Sequence, residues 1–243
     1  MNSIKNLLYC FLPIILNLLI QLLSIYLFTS TNMLSTILCL ITFLFWFKKY
    51  EASKHSKLAK SKLSICDFFF LVILSFGCQI LITGILDYIY FYFPELFTNK
   101  FSNILPNKVS LLSTLIIMII LGPIVEELTF RGLTLSMFKE NISYKYANLF
   151  QAILFAIYHH DFIQGIYTFF IGYLLGYIYL KTNNLRYSIC IHMFLNFFSV
   201  FIVLIPMNNF FMLISGAIII TLFFAYFNKK SLSTKKGLYQ NKF

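Results

Sequence analysis

Charge is scarce in this 243-residue chain. Charged residues make up 11% of it and hydrophobic residues 60%, where a soluble domain has about 25% and about 45–50%. That shortage excludes an ordinary soluble fold and leaves a polytopic membrane protein. Cys10, Cys39, Cys66, Cys78 and Cys190 form no C-x-x-C and no paired spacing. They offer neither disulfides nor a cysteine metal site, and in apolar segments a cysteine acts as a small hydrophobe. H-E-x-x-H is absent too, which excludes a zincin-type centre. The halves show no repeat symmetry, which weakens a transporter reading. The first apolar run, "LLYCFLPIILNLLIQLLSIYLF", is longer than a signal-peptide core of about 7–15 residues and lacks a small-residue cleavage site. It is expected to stay as the first span.

What charge there is sits in clusters. The formal net charge is +11, and Lys48, Lys49, Lys54, Lys57, Lys60 and Lys62 crowd into one loop, with five more lysines after Phe227. Charge in short loops beside apolar spans sets topology and attracts anionic headgroups. The expected partners on this ground are membrane lipids. No segment offers the basic folded surface with aromatic readers that nucleic acid would need.

About 20 apolar residues cross the hydrocarbon core as a helix. By that measure the fold class is all-α, a polytopic transmembrane bundle of about eight spans. They are Leu7–Phe28, Met33–Phe47, Ile65–Phe93, Leu111–Phe138, Ala147–His160, Ile163–Leu180, Tyr187–Ile205 and Phe210–Phe227. Residues 1–110 are expected to form N-terminal helices with a basic cytoplasmic loop, 111–205 a helical core, and 206–243 a last helix and basic tail. With the N-terminus inside, 17 of the 19 basic residues face inward and only Lys100 and Lys108 face outward. The expected location is the cell membrane, multi-pass, with both termini cytoplasmic.

The back part of the chain carries polar groups that lipid disfavours: Glu126, Glu127 and Arg131; His159, His160 and Asp161; and His192 with Asn196. Residues four apart share a helix face, while neighbours point about 100° apart. Glu127 and Arg131 can therefore pair, which lowers the cost of burying both. No cation stands three or four positions from Glu126, so it is set up as the working carboxylate beside a structural one. The same rule puts Phe155 with His159, and His192 with Asn196. A carboxylate with two imidazoles in a low-dielectric site can activate water, directly or around a metal.

Each element also has a plainer reading alone. The motif-one charges could be a helix-end cluster at the cytoplasmic interface. His159 and His160 could sit with Asp161 at the outer interface, and His192 with Asn196 could clamp two helices. Asp87, near Tyr88 and Tyr90, reads as interfacial. The functional reading rests on their combination.

Three motifs stand in order: "EELTFR" (Glu126 to Arg131), "FAIYH" (Phe155 to His159) and "HMFLN" (His192 to Asn196). Together they resemble the signature E-E-x-x-x-R, F-x-x-x-H, H-x-x-x-N/D of the CAAX protease and bacteriocin-processing (Abi) intramembrane proteases. The resemblance covers about Leu111 to Ile205; it implies that 111–205 is the catalytic core and that it hydrolyses peptide bonds of a peptide or protein substrate in the membrane. It implies that Glu126 and His159 activate water, that His192 and Asn196 stabilise the oxyanion, and that Glu127 and Arg131 support the site. It leaves open whether a divalent metal such as Zn2+ takes part, in which case Glu126, His159 and His192 would be its ligands.

Lysines outnumber arginines 17 to 2, and Ile, Asn and Phe abound, as expected of an AT-rich bacterial genome. The implied role is then bacteriocin or pheromone processing, or self-immunity. The alternative is a non-catalytic membrane immunity or scaffold protein on the same fold.

Overall fold

A computed structural model describes residues 2–28, 33–53, 63–97, 111–202 and 208–234, and all regular structure among them is helical. The helices are α1 (Asn2–Tyr9), α2 (Leu12–Phe28), α3 (Met33–Ser53), α4 (Ile65–Tyr92), α5 (Leu111–Asn141), α6 (Tyr144–Tyr158), α7 (Phe162–Thr182), α8 (Leu185–Phe201) and α9 (Asn209–Thr234). Six stretches are long and apolar enough to cross a membrane: Lys5–Leu27, α3, α4, α5, α7 and Asn209–Phe227. Leu22, Ile41 and Phe45 are 61%, 60% and 71% exposed, a surface suited to lipid rather than water. The protein is a multi-pass helical membrane bundle.

The two remaining expected spans are helical but shorter, 15 residues in α6 and 17 in α8. The expected span Ala147–His160 is shifted, because α6 begins at Tyr144 and stops at Tyr158. It stops there because His160 takes a left-handed backbone, φ 55°, which ends a right-handed helix. Four of the six loop lysines (Lys54, Lys57, Lys60, Lys62), Lys100, Lys108 and the tail from Lys235 lie outside the described residues.

The chain divides into two compact units. The first holds α1–α3, α5–α7 and α8 as far as Ile189; the second holds α4, α8 from Cys190, and α9. In the first, buried Cys39, Phe43, Val125, Leu128, Leu133, Phe138, Ala147 and Tyr179 form one apolar cluster. α5 runs through it with two widened, π-helical turns, Ile117–Leu121 and Leu128–Leu135. Pro123 lacks an N–H and its ring crowds the preceding turn. The first wide turn, closed by the Gly122 N–H on the Ile117 carbonyl, relieves that crowding just before Glu126. The second begins directly after Glu127, and such turns recur at functional sites.

In the second unit α4 lies against α9 through glycines. A Cβ on Gly216 would come within 2.8 Å of the Gly77 carbonyl oxygen. Only hydrogen fits at that approach, so the two backbones can touch. Ile80, Ile202 and Met212 fill the space beside them.

Candidate active site

The widened turn of α5 sets the first motif. Glu127 and Arg131 are both fully buried, and Arg131 Nη1 donates to Glu127 Oε1 at 2.7 Å. This is the four-residue pair expected from spacing. The guanidinium does more than neutralise the carboxylate. Its Nη2 donates to the Gly172 carbonyl of α7 at 3.1 Å, and its Cζ lies 4.4 Å from the centre of the Phe155 ring on α6. One buried cation thus joins motif one, motif two and α7, using the planar, forked geometry that a lysine lacks.

The second motif reaches α5 through aromatic edges. Phe155 meets Phe130 at 5.0 Å and His159 at 4.7 Å between ring centres. His159 is the C-terminal cap of α6, and its Nδ1 lies 2.8 Å from the Phe155 carbonyl oxygen. A carbonyl only accepts, so the neutral imidazole carries its proton on Nδ1 and keeps the Nε2 lone pair. Glu126 is half-buried one position before the ion pair. Phe130 of motif one meets Tyr158 at 5.3 Å between ring centres, so motif one meets the end of α6.

The neighbours of His159 have structural duties. His160 is exposed and makes the left-handed turn. Asp161 caps α7, its Oδ1 accepting from the Gln164 N–H at 2.8 Å. Asp87 is likewise exposed, near the end of α4.

The third motif lies on α8 in the second unit. His192 is 4% exposed and Asn196 half-buried. Ser75 of α4 donates to the Ile191 carbonyl at 3.2 Å, one residue before His192. Phe68 and Phe76 of α4 meet Phe194 and Phe198 at 5.6 and 5.3 Å. These contacts hold the turn of α8 that carries the motif.

Among the described residues no three His, Cys, Asp or Glu side chains are gathered so as to hold a metal ion.

Two sets of site residues escaped the sequence reading. Gln151 Nε2 donates to the same Gly172 carbonyl as Arg131, at 2.9 Å, and Asn148 Nδ2 donates to the Tyr173 carbonyl at 3.0 Å. A Cβ on Gly176 would fall 1.9 Å from Asn148 Oδ1. The signal was present as G-x-x-x-G, Gly172 to Gly176, a spacing that brings helices together in lipid. The other set is Asn17 and Gln21 of α2, whose amides reach Thr129 and Tyr158. An isolated amide in an apolar run carries no pattern that sequence alone can use.

Residues 108–198, which contain all three motifs, match the family model described as type II CAAX prenyl endopeptidase Rce1-like. That segment is similar to the Rce1-like family. A 96-residue stretch is 28% identical to a Bacillus subtilis (strain 168) protein named "Putative membrane peptidase YdiL", covering 40% of this chain and 39% of that relative. The chain thus matches about two-fifths of that relative's length. No solved structure is significantly similar. The Rce1-like segment takes in α5 to most of α8 and leaves α1–α4 and α9 outside it.

Proposed function

We propose that the protein is a membrane endopeptidase whose Rce1-like core hydrolyses peptide bonds of membrane-associated peptides or protein tails. The observation that carries this is the meeting of motifs one and two around Arg131 and Phe155, with His159 packed on the Phe155 ring. Glu126 takes a proton from the attacking water and later returns it to the departing amine. His159 orients that water through Nε2, the nitrogen left as acceptor by the Nδ1 bond to Phe155. We assign to His192 and Asn196 the oxyanion of the tetrahedral intermediate. Donors aimed at developing charge are typically worth about 10²–10³-fold in rate. Glu127 and Arg131 hold α5, α6 and α7 in register.

Both termini face the cytoplasm of a bacterial cell in this proposal, and the role is maturation of a bacteriocin or pheromone, or immunity to one. The non-catalytic immunity or scaffold reading uses the same polar cluster for helix packing alone. Purified protein incubated with candidate membrane-bound peptides, with and without chelator, separates the two. Glu126→Ala and His159→Ala are each expected to lower cleavage by at least about 10²-fold while still accumulating in membranes. Full cleavage by the Glu126→Ala protein would sink the catalytic reading.

A further inference from the structure

The first membrane span sends two amides into the neighbourhood of the site. Asn17 is fully buried on α2, and Gln21 lies one turn further along. Asn17 Nδ2 donates to Thr129 Oγ1 at 3.1 Å, and Thr129 Oγ1 donates to the Val125 carbonyl at 2.8 Å. Gln21 Nε2 donates to Asn17 Oδ1 at 3.0 Å and also to the Tyr158 hydroxyl. Tyr158 completes the circuit by donating to Asn17 Oδ1 at 3.3 Å. The circuit touches α5 three positions after Glu126, on the same helix face. It touches α6 one position before His159.

Tyr158 is also packed on its ring. Its centroid is 5.3 Å from Phe130 and 5.9 Å from His159. The phenol proton is directed at Asn17 and the phenol oxygen accepts from Gln21, which fixes the rotation of the hydroxyl and the place of the ring. The last turn of α6 ends where the backbone reverses at His160. Such a turn frays unless side chains hold it.

We infer that Tyr158, locked by Asn17 and Gln21 of the first span, is a positioning residue that sets His159 against Glu126. This rests on the endopeptidase reading above. The first span is then part of the active assembly and not only an anchor. Removing the lock leaves the ring contacts in place but lets the His159 end of α6 drift, and misplacing a reacting group by about 1 Å can cost about 10²-fold in rate.

The test is peptide cleavage by purified Tyr158→Phe, Gln21→Ala and their double variant, with Glu126→Ala as reference. Tyr158→Phe and Gln21→Ala are each expected to lower kcat about tenfold or more, with KM changed by less than about twofold. The double variant is expected to fall no further than the worse single one, because both cut the same circuit. Wild-type kcat in Tyr158→Phe, while Glu126→Ala is inactive, would overturn the inference and leave the endopeptidase reading standing. A rise in KM at unchanged kcat would also overturn it, since that marks a binding role. Activity in Glu126→Ala would instead remove the reading beneath it. If Tyr158→Phe fails to accumulate, Gln21→Ala decides alone, because Gln21 is only half-buried and its truncation leaves the ring packing intact.

Discussion

The two units of the chain are built on opposite solutions to helix packing in lipid. The first buries Asn17, Glu127, Thr129, Arg131, Asn148 and Gln151, and bonds them across helices. Among the described residues of the second, the buried polar side chains are Ser75 and His192, and α4 meets α9 closely at Gly77 and Gly216. Lipid gives apolar side chains little reason to prefer each other, so helices associate through close packing or through polar bonds. Close packing is the less costly device. The polar one leaves expensive groups in place, and here it coincides with motifs one and two.

The largest effect should come from splitting the buried ion pair. Arg131→Ala leaves Glu127 as an uncompensated buried charge, a loss of about 3–5 kcal/mol. Thermal unfolding in detergent should show it, together with poor membrane accumulation. The paired change Glu127→Leu with Arg131→Met should recover much of the lost stability, because apolar replacement of a buried pair is often neutral. It should not recover cleavage, since the bond to the Gly172 carbonyl and the contact with Phe155 are gone. Recovered cleavage would mean that the pair serves stability alone.

The second unit should break differently. Gly216→Leu forces a side chain into backbone and Leu81, and overpacking of this kind costs about 1–3 kcal/mol. The loss should appear in unfolding of the protein without a polar rescue. If a second apolar change restored it as fully as the first unit's pair is restored, the contrast between the units would weaken. The smallest effect is expected at Ser75→Ala, which deletes one interhelical hydrogen bond. Such bonds in membrane proteins average about 0.6 kcal/mol, so stability should barely move. Cleavage should fall more than stability if the Ile191 carbonyl helps to set His192.

The pattern of the candidate site was readable in part. Glu127 with Arg131, and Phe155 with His159, follow from the four-residue repeat of a helix, and both pairs are in contact. The Asp161 cap was not read in advance, because an aspartate after two histidines looks the same whether it serves chemistry or a helix start. Spans also went partly astray. The expected Ala147–His160 ignored that a left-handed His160 ends α6, and hydropathy carries no information about backbone sign. The amides of α2 were invisible because one Asn and one Gln in an apolar run have no periodicity to betray them.

From its sequence alone this protein is helical, membrane-spanning and equipped with three polar motifs. Hydropathy and helical spacing are local properties of the chain, so composition and register suffice to read them. The tertiary structure decided which helices those motifs join. It put Arg131 on the Gly172 carbonyl, brought Phe155 under its guanidinium, and carried Asn17 and Gln21 to Thr129 and Tyr158. Those contacts link residues up to 141 positions apart. They exist because buried polar groups in lipid must find partners wherever the fold brings them.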